Sequence, residues 1–177
     1  MRAAIMILDL HRHLLTLELS ELHGTESLLL DELPLLILTS HSARLANALA
    51  ALRQQTAVQL RRLEACLGCG RESVRPVPSF GMRGLMRDMR TDARVAGHAG
   101  VQDAALLGNG RRVVQWQLGM YANTRRVAHA LDESAIVRWL DQGIAEEQRA
   151  DVILTRIMAE EVGPAACRAT TAFTATT

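Results

Sequence analysis

A chain of 177 residues is long enough to bury a sizeable core, and its length does not ask for a second domain. Hydrophobic residues make up 49% of it but aromatics only 3%, which favours helices filled by Leu and Ala over strands. A formal net charge of +1 gives no general attraction to nucleic acid or to an anionic membrane, and 3 cysteines without a framework spacing argue against a disulfide-stapled secreted domain.

The chain opens with MRAAIMILDLHRHLL, whose short apolar run is broken by Asp9, His11 and His13. The run is too short to span a membrane and poor as a signal peptide, so a cytoplasmic protein is expected, with residues 1–10 as an N-terminal extension. His11 and His13 form an HxH pair, but residues two apart on a helix point away from each other, which favours solvated surface over a metal site. The first long helix is predicted from about His11 to Thr39. Its stripe is Leu15, Leu19, Leu22, Glu26, Leu29, Leu33 and Leu36, so a carboxylate sits inside the apolar face. Gly24 is a weak point within it, and Pro34 kinks it near its end. Ser40 to Ser42 supplies a turn with an N-cap hydroxyl.

The second helix, Ser42 to Leu67, is predicted to bury Leu45, Leu49, Leu52, Thr56, Leu60, Leu63 and Leu67, with Gln55 and Gln59 flanking that stripe. Cys66 and Cys69 form a CxxC at the helix C-terminus, where no dipole lowers a thiol pKa and no further zinc ligands lie close in sequence. Cys66 therefore reads as a core residue and Cys69 as a loop residue.

Arg71 to Phe80 is a crossing loop. A short helix from about Gly81 to Val95 places Met82, Leu85, Met86 and Met89 on one face as a cap on the bundle, and Arg83, Arg87, Arg90 and Arg94 on the other. Asp88 and Asp92 lie among these arginines at ion-pair spacing, which favours a solvated face over a phosphate or nucleic-acid site. The central helix, Asp103 to Leu131, has an inward stripe of Leu106, Gly110, Val113, Val114, Gln117, Met120, Tyr121, Thr124 and Val127, interrupted at its middle by the Gln117 amide. Tyr121 reads as ordinary core packing, with a redox role or a hydrogen bond to a metal ligand as the alternative. The last helix is predicted from an Asp132 cap to Val162, with Glu147 inside its stripe of Ile136, Trp139, Leu140, Ile144 and Leu154. Gly163 and Pro164 are expected to stop it, leaving 163–177 as a tail without fixed structure.

Glu26 and Gln55 lie about fourteen residues on either side of the first turn, and Gln117 and Glu147 about as far from the turn near Asp132, so all four fall at one height, roughly 20 Å from their turns. The expected fold is therefore an all-α, ferritin-like four-helix bundle over 11–162, made of two antiparallel hairpins joined by a long crossover that carries a short helix.

The ordered motifs GTESLLLDELP, QLRRLEACLG, PSFGMRGLM, QDAALL, VVQWQLGMY and IAEEQRADVIL give the chain a resemblance to the bacterial ferritin-like YciE/YciF proteins, a stress-associated family, over most of its length. That resemblance implies a dimer and a dimetal site built from inward Glu and His residues of the four core helices. Glu26 and Glu147 match acidic ligand positions and are retained. The HxxE of the second helix falls on Leu52 and Gln55, and the ExxE of the third on Val114 and Gln117, so ligands there have become apolar or amide. Two hard cations need several carboxylates, and only Glu26 and Glu147, with Asp151 as a third candidate, remain. The favoured expectation is a non-enzymatic homodimer without cofactor, its layer held by hydrogen bonds. The alternative is an iron or manganese protein with oxidase or iron-handling activity at a reduced carboxylate site.

Overall fold

The described residues form five helices: α1 (Arg2–Thr39), α2 (Ala43–Gly68), α3 (Phe80–Val95), α4 (Ala99–Ala130) and α5 (Ser134–Thr174). The computed structural model describes residues 2–68, 77–95 and 97–174, with side chains described from 6 to 162 within those ranges except 93 and 95. Cys69 and most of the crossing segment, 69–76, lie outside the described residues, as do the side chains of the expected tail, Cys167 included.

α1 starts at Arg2 rather than near His11, because nothing between Arg2 and His11 breaks a helix. It also runs through Pro34, whose missing N–H removes one hydrogen bond without ending the ladder. Gly24 has a packing reason to be there: a Cβ at that position would overlap the carbonyl of Val77, where the segment before α3 crosses α1. At the other end of the chain, α5 passes Gly163 and Pro164, where a stop was expected, and its helical backbone reaches Thr174. One proline costs a helix a bond and a bend, and here that is insufficient to end it.

The turn between α1 and α2 is closed twice. Ser42 Oγ accepts from the Leu45 N–H at 3.3 Å, the N-cap read from sequence. Asp103 of α4 then accepts from two backbone donors of the turn, His41 N–H at 2.9 Å and Ser42 N–H at 2.7 Å. Ser79 caps α3 by accepting from Met82 N–H at 3.3 Å, and His98 caps α4 by accepting from Gly100 N–H at 3.1 Å. Asp132, between α4 and α5, takes a φ of 57°, a left-handed conformation that Asp tolerates better than most residues.

α1 packs along α2 and α4 along α5, and the two hairpins meet through α1 against α4 and α2 against α5. α3 lies across α4 and α1, and inserts the buried side chains of Met82, Met86 and Met89 into the core. Its arginine face is solvated, with Arg90 3.3 Å from Glu32 and Arg83 over the Phe80 ring. Two apolar clusters fill the bundle. One gathers Leu29, Leu33, Leu45, Leu49, Leu106, Val114 and Leu154 with the methionines, and the other Leu15, Leu19, Leu22, Leu63, Cys66, Ala128 and Leu140. Between these clusters the helices bury polar side chains, Thr25 and Glu26, Thr56 and Gln59, Gln117, and Glu147.

Asp103 joins two backbone donors of one hairpin to a helix of the other. Asp103→Ala is expected to lower stability by about 1–3 kcal/mol, the cost of stranding such donors, whereas Arg126→Ala on the exposed side of α4 should stay within about 0.5 kcal/mol. Urea titration of both variants checks this, and equal effects would contradict the assignment.

Candidate functional site

Between the two apolar clusters lies a layer of polar side chains: Glu26 from α1, Thr56 and Gln59 from α2, Gln117 and Tyr121 from α4, and Glu147 from α5, all buried, with Gln55 of α2 partly buried at its edge. The helical period puts them there, since each occupies a position of its helix's inward stripe. Of the sequence-predicted residues, Glu26, Gln55, Gln117 and Glu147 are brought together in two hydrogen-bonded groups.

In the first group, Gln117 Nε2 donates to both Glu26 oxygens, at 2.9 and 3.0 Å, and the Tyr121 hydroxyl donates to Glu26 Oε1 at 3.1 Å. In the second, Gln55 Nε2 and Gln59 Nε2 both donate to Glu147 Oε1 at 2.8 Å. Each group spans the hairpins, α1 to α4 in one and α2 to α5 in the other. Close beside the second group, Arg62 of α2 reaches Glu146 of α5 at 2.8 Å.

Asp151, considered above as a third ligand, belongs elsewhere. It is one turn beyond Glu147 and accepts from Arg111 Nε at 3.0 Å, as an ion pair between α4 and α5. Leu52 and Val114, at the other two family ligand positions, are packed into the aliphatic cluster next to the layer. Among the described residues no three His, Cys, Asp or Glu side chains gather as a set that could hold a metal ion.

Two residues of the layer take roles other than those the sequence favoured. Gln59 is buried where Leu60 was expected, and it faces inward because it lies one turn from Gln55 on the same side of α2. Tyr121 carries a hydrogen bond as well as packing, and it lies one turn from Gln117. Room for its ring comes from α5, where a Cβ at Gly143 would overlap the Tyr121 ring. The same ring lines a small cleft with Gln59, Arg62, Cys66, Trp139 and Gly143, with room for about one water molecule.

The layer has more acceptors than donors. Gln59 Oε1, Gln117 Oε1 and Glu147 Oε2 accept from no donor among the described residues, and the Thr56 hydroxyl, which could serve one of them, has no partner there either. Protons on the carboxyl groups are the donors such an arrangement calls for, and the electrostatics agree. Burial, the charge of Glu147 and, more weakly, that of Glu146 push the Glu26 carboxyl up to about 8, against the opposing hydrogen bonds from Gln117 and Tyr121. Burial, with a smaller contribution from Glu146, raises Glu147 to about 7 against the amide bonds of Gln59 and Gln55. The mutual repulsion falls on whichever carboxyl ionises second, so it is felt by Glu26 while Glu147 ionises beside a neutral neighbour. Burial, then the Glu26 charge, also raises the Tyr121 phenol well above its ordinary 10.

Both carboxyls hold protons more tightly folded than unfolded, where 4.5 is the ordinary value. Their contribution to stability is thus full below about pH 4.5 and is lost as pH rises through about 7 and 8. Relative to Glu26→Gln with Glu147→Gln, the wild-type melting temperature is expected to fall as pH rises through that window; parallel curves would contradict the layer. Tyr121 is the only tyrosine of the chain, so ultraviolet titration reads it alone. Tyrosinate absorbance should appear only well above pH 10, or on alkaline unfolding.

A family model described as a domain of unknown function, DUF892, matches residues 11–166. No curated protein matches the chain. Among solved structures, the stress protein YciF of E. coli superposes with a TM-score of 0.82 at 20% identity, covering 86% of this chain and 97% of that one. YcfI of Rhodopseudomonas palustris superposes with a TM-score of 0.79 at 23% identity, covering 82% of this chain and 92% of the other. These likenesses establish the ferritin-like bundle fold, and the match over 11–166 makes the chain a member of the DUF892 family, of the YciE/YciF type.

Proposed function

We propose that this chain is a non-catalytic, cytoplasmic, stress-associated bundle protein in which a hydrogen-bonded Glu and Gln layer stands in place of a dimetal centre. The stress association is carried over from the description of YciF as a stress protein. The observation that carries the rest is the direction of the amides. Gln117 turns its N–H donors toward Glu26, and Gln55 and Gln59 turn theirs toward Glu147, so both oxygens of Glu26 and one of the two oxygens of Glu147 already accept from amides.

The residues present do not fit a dinuclear site. Two hard cations need several carboxylates to offset the loss of their hydration shells, and only Glu26 and Glu147 face this layer. Leu52 and Val114 offer no donor atom, and Asp151 is engaged by Arg111. A buried carboxyl that keeps its proton is neutral and needs no cation to balance it.

A second reading has one observation in its favour. The unpartnered oxygens of Gln59, Gln117 and Glu147 are hard acceptors, and with Glu26 they form the kind of set that holds a single iron or manganese ion weakly. Chelation separates the readings. On the favoured one, protein purified after iron and manganese supplementation carries far less than one equivalent of metal, and EDTA leaves the melting temperature unchanged. One or more tightly held equivalents, lost together with stability on chelation, would establish the second reading instead. The four changes Gln55→Glu, Gln117→Glu, Leu52→His and Val114→Glu are expected to destabilise the chain without metal and to restore stability when manganese is added.

A further inference from the structure

The surface where α3 begins against the middle of α4 carries aromatic rings that the core does not take. A chain with only two tryptophans and two phenylalanines places one of each there. Phe80, the first residue of α3, is 78% exposed, and Trp116, on the outer side of α4, is 43% exposed. They are neighbours, since the Trp116 indole lies so close to Gly81 that a Cβ there would be 2.3 Å from the ring. A Cβ at Gly84 or Gly119, about one turn along each helix, would meet nothing within 4 Å, so the space beside both rings is open.

Arginines frame the rings. Arg83 lies 6.0 Å from the Phe80 ring centroid, Arg87 is one turn further along the exposed side of α3, and Arg112 is one turn before Trp116 on α4. None of the three pairs with a carboxylate among the described residues, whereas Arg90, on the α1 side of α3, is taken by Glu32. Spacing in the sequence sets Asp88 and Asp92 against these arginines, but the structure gives Asp92 another partner. It accepts from Asn109 Nδ2 at 2.9 Å, and Asn109 Oδ1 accepts in turn from Arg112 Nη1 at 2.9 Å, which orients that guanidinium. Asp88 is then left beside three cations, a local positive surface on a chain whose net charge is +1.

We propose that this surface binds a single strand of nucleic acid, two unpaired bases stacking on Phe80 and Trp116 while Arg83, Arg87 and Arg112 meet the phosphates. Exposed rings interleaved with guanidinium groups suit a ligand that alternates planar faces with negative charges. Arg83 and Arg87 stand about 6 Å apart along α3, a rise that successive phosphates of an extended strand can match. A duplex keeps its base faces stacked on one another and so cannot use the rings. An acidic peptide meets the arginines but leaves the rings bare.

Fluorescence anisotropy of a short labelled DNA oligonucleotide of mixed sequence, titrated with the full chain between about 50 and 200 mM salt, tests this. The wild type is expected to bind the single strand at least tenfold more tightly than the same sequence as duplex. Its affinity should fall with about the second power of salt concentration, from three phosphates at roughly 0.7 each. Phe80→Ala, at a side chain too exposed to matter for folding, and Phe80→Ala with Trp116→Leu should weaken binding progressively without changing the salt slope. Arg83→Gln with Arg87→Gln should cut the slope to about one third, Asp88→Asn should tighten binding, and Arg138→Gln on α5 should change nothing. In a Trp139→Phe background, the single strand should quench Trp116 fluorescence. Absence of binding overturns the proposal, as do equal affinity for duplex and single strand, ring variants that bind like the wild type, or a salt slope unmoved by the arginine changes. Polyglutamate that competes as well as the single strand also overturns it, in favour of an acidic protein partner.

Discussion

Two carboxyl groups in a dry interior must each be neutral or be met by donors, and that requirement organises the middle of this bundle. Glu26 is met by Gln117 and Tyr121, and Glu147 by Gln55 and Gln59. Every one of these bonds joins one hairpin to the other. Apolar packing holds the hairpins together but is tolerant of sliding, because leucines one turn apart are nearly interchangeable. The layer is not tolerant. A slip of one turn, about 5.4 Å, parts every donor from its acceptor and leaves groups that each cost about 1–3 kcal/mol when buried alone. The two carboxyl groups thus set the axial register at which the apolar clusters on either side can close.

The rest of the structure reinforces this register from its ends. Asp103 ties the α1–α2 turn to α4 beyond one cluster, and Arg62 with Glu146 joins α2 to α5 beside the layer. Arg44 with Glu160 and Glu161 adds a link between α2 and α5 toward the α1–α2 turn. These outer ion pairs are partly solvated and contribute modestly, whereas the layer acts in a medium where an unmet polar group is costly. Gly143 belongs to the same device, since without its open space the Tyr121 ring cannot reach the position from which its hydroxyl meets Glu26.

Much of this was legible in the sequence because the helical period is a strong signal. Glu26, Gln117 and Glu147 each interrupt a long aliphatic stripe, and counting from the turns put them at one height. Gln59 was harder to see: Leu60 beside it looked the better core residue, and one residue along a helix turns the side chain by about 100°. Asp103 looked like a helix start, yet its partners are backbone donors some sixty residues away, for which a sequence has no local sign. Asp151 sits at a favourable spacing from Glu147, but its neighbour Arg111, on another helix, claims it. The end of α5 was misplaced because Gly–Pro weakens a helix without forbidding it. The direction of the amides, on which the functional reading turns, is a tertiary property that no pattern of residues announces.

The central claim is that the two carboxyl groups of the layer are held protonated and bind no cation. The most direct measurement follows the side-chain carboxyl carbons of Glu26 and Glu147 by nuclear magnetic resonance in metal-free protein, assigned with the single Gln variants, as pH is raised. The account predicts two coupled titrations displaced from the ordinary 4.5 to about 7 and about 8, with no response to added manganese at neutral pH. Carboxylates already ionised by pH 5, or resonances broadened by stoichiometric manganese, would contradict it.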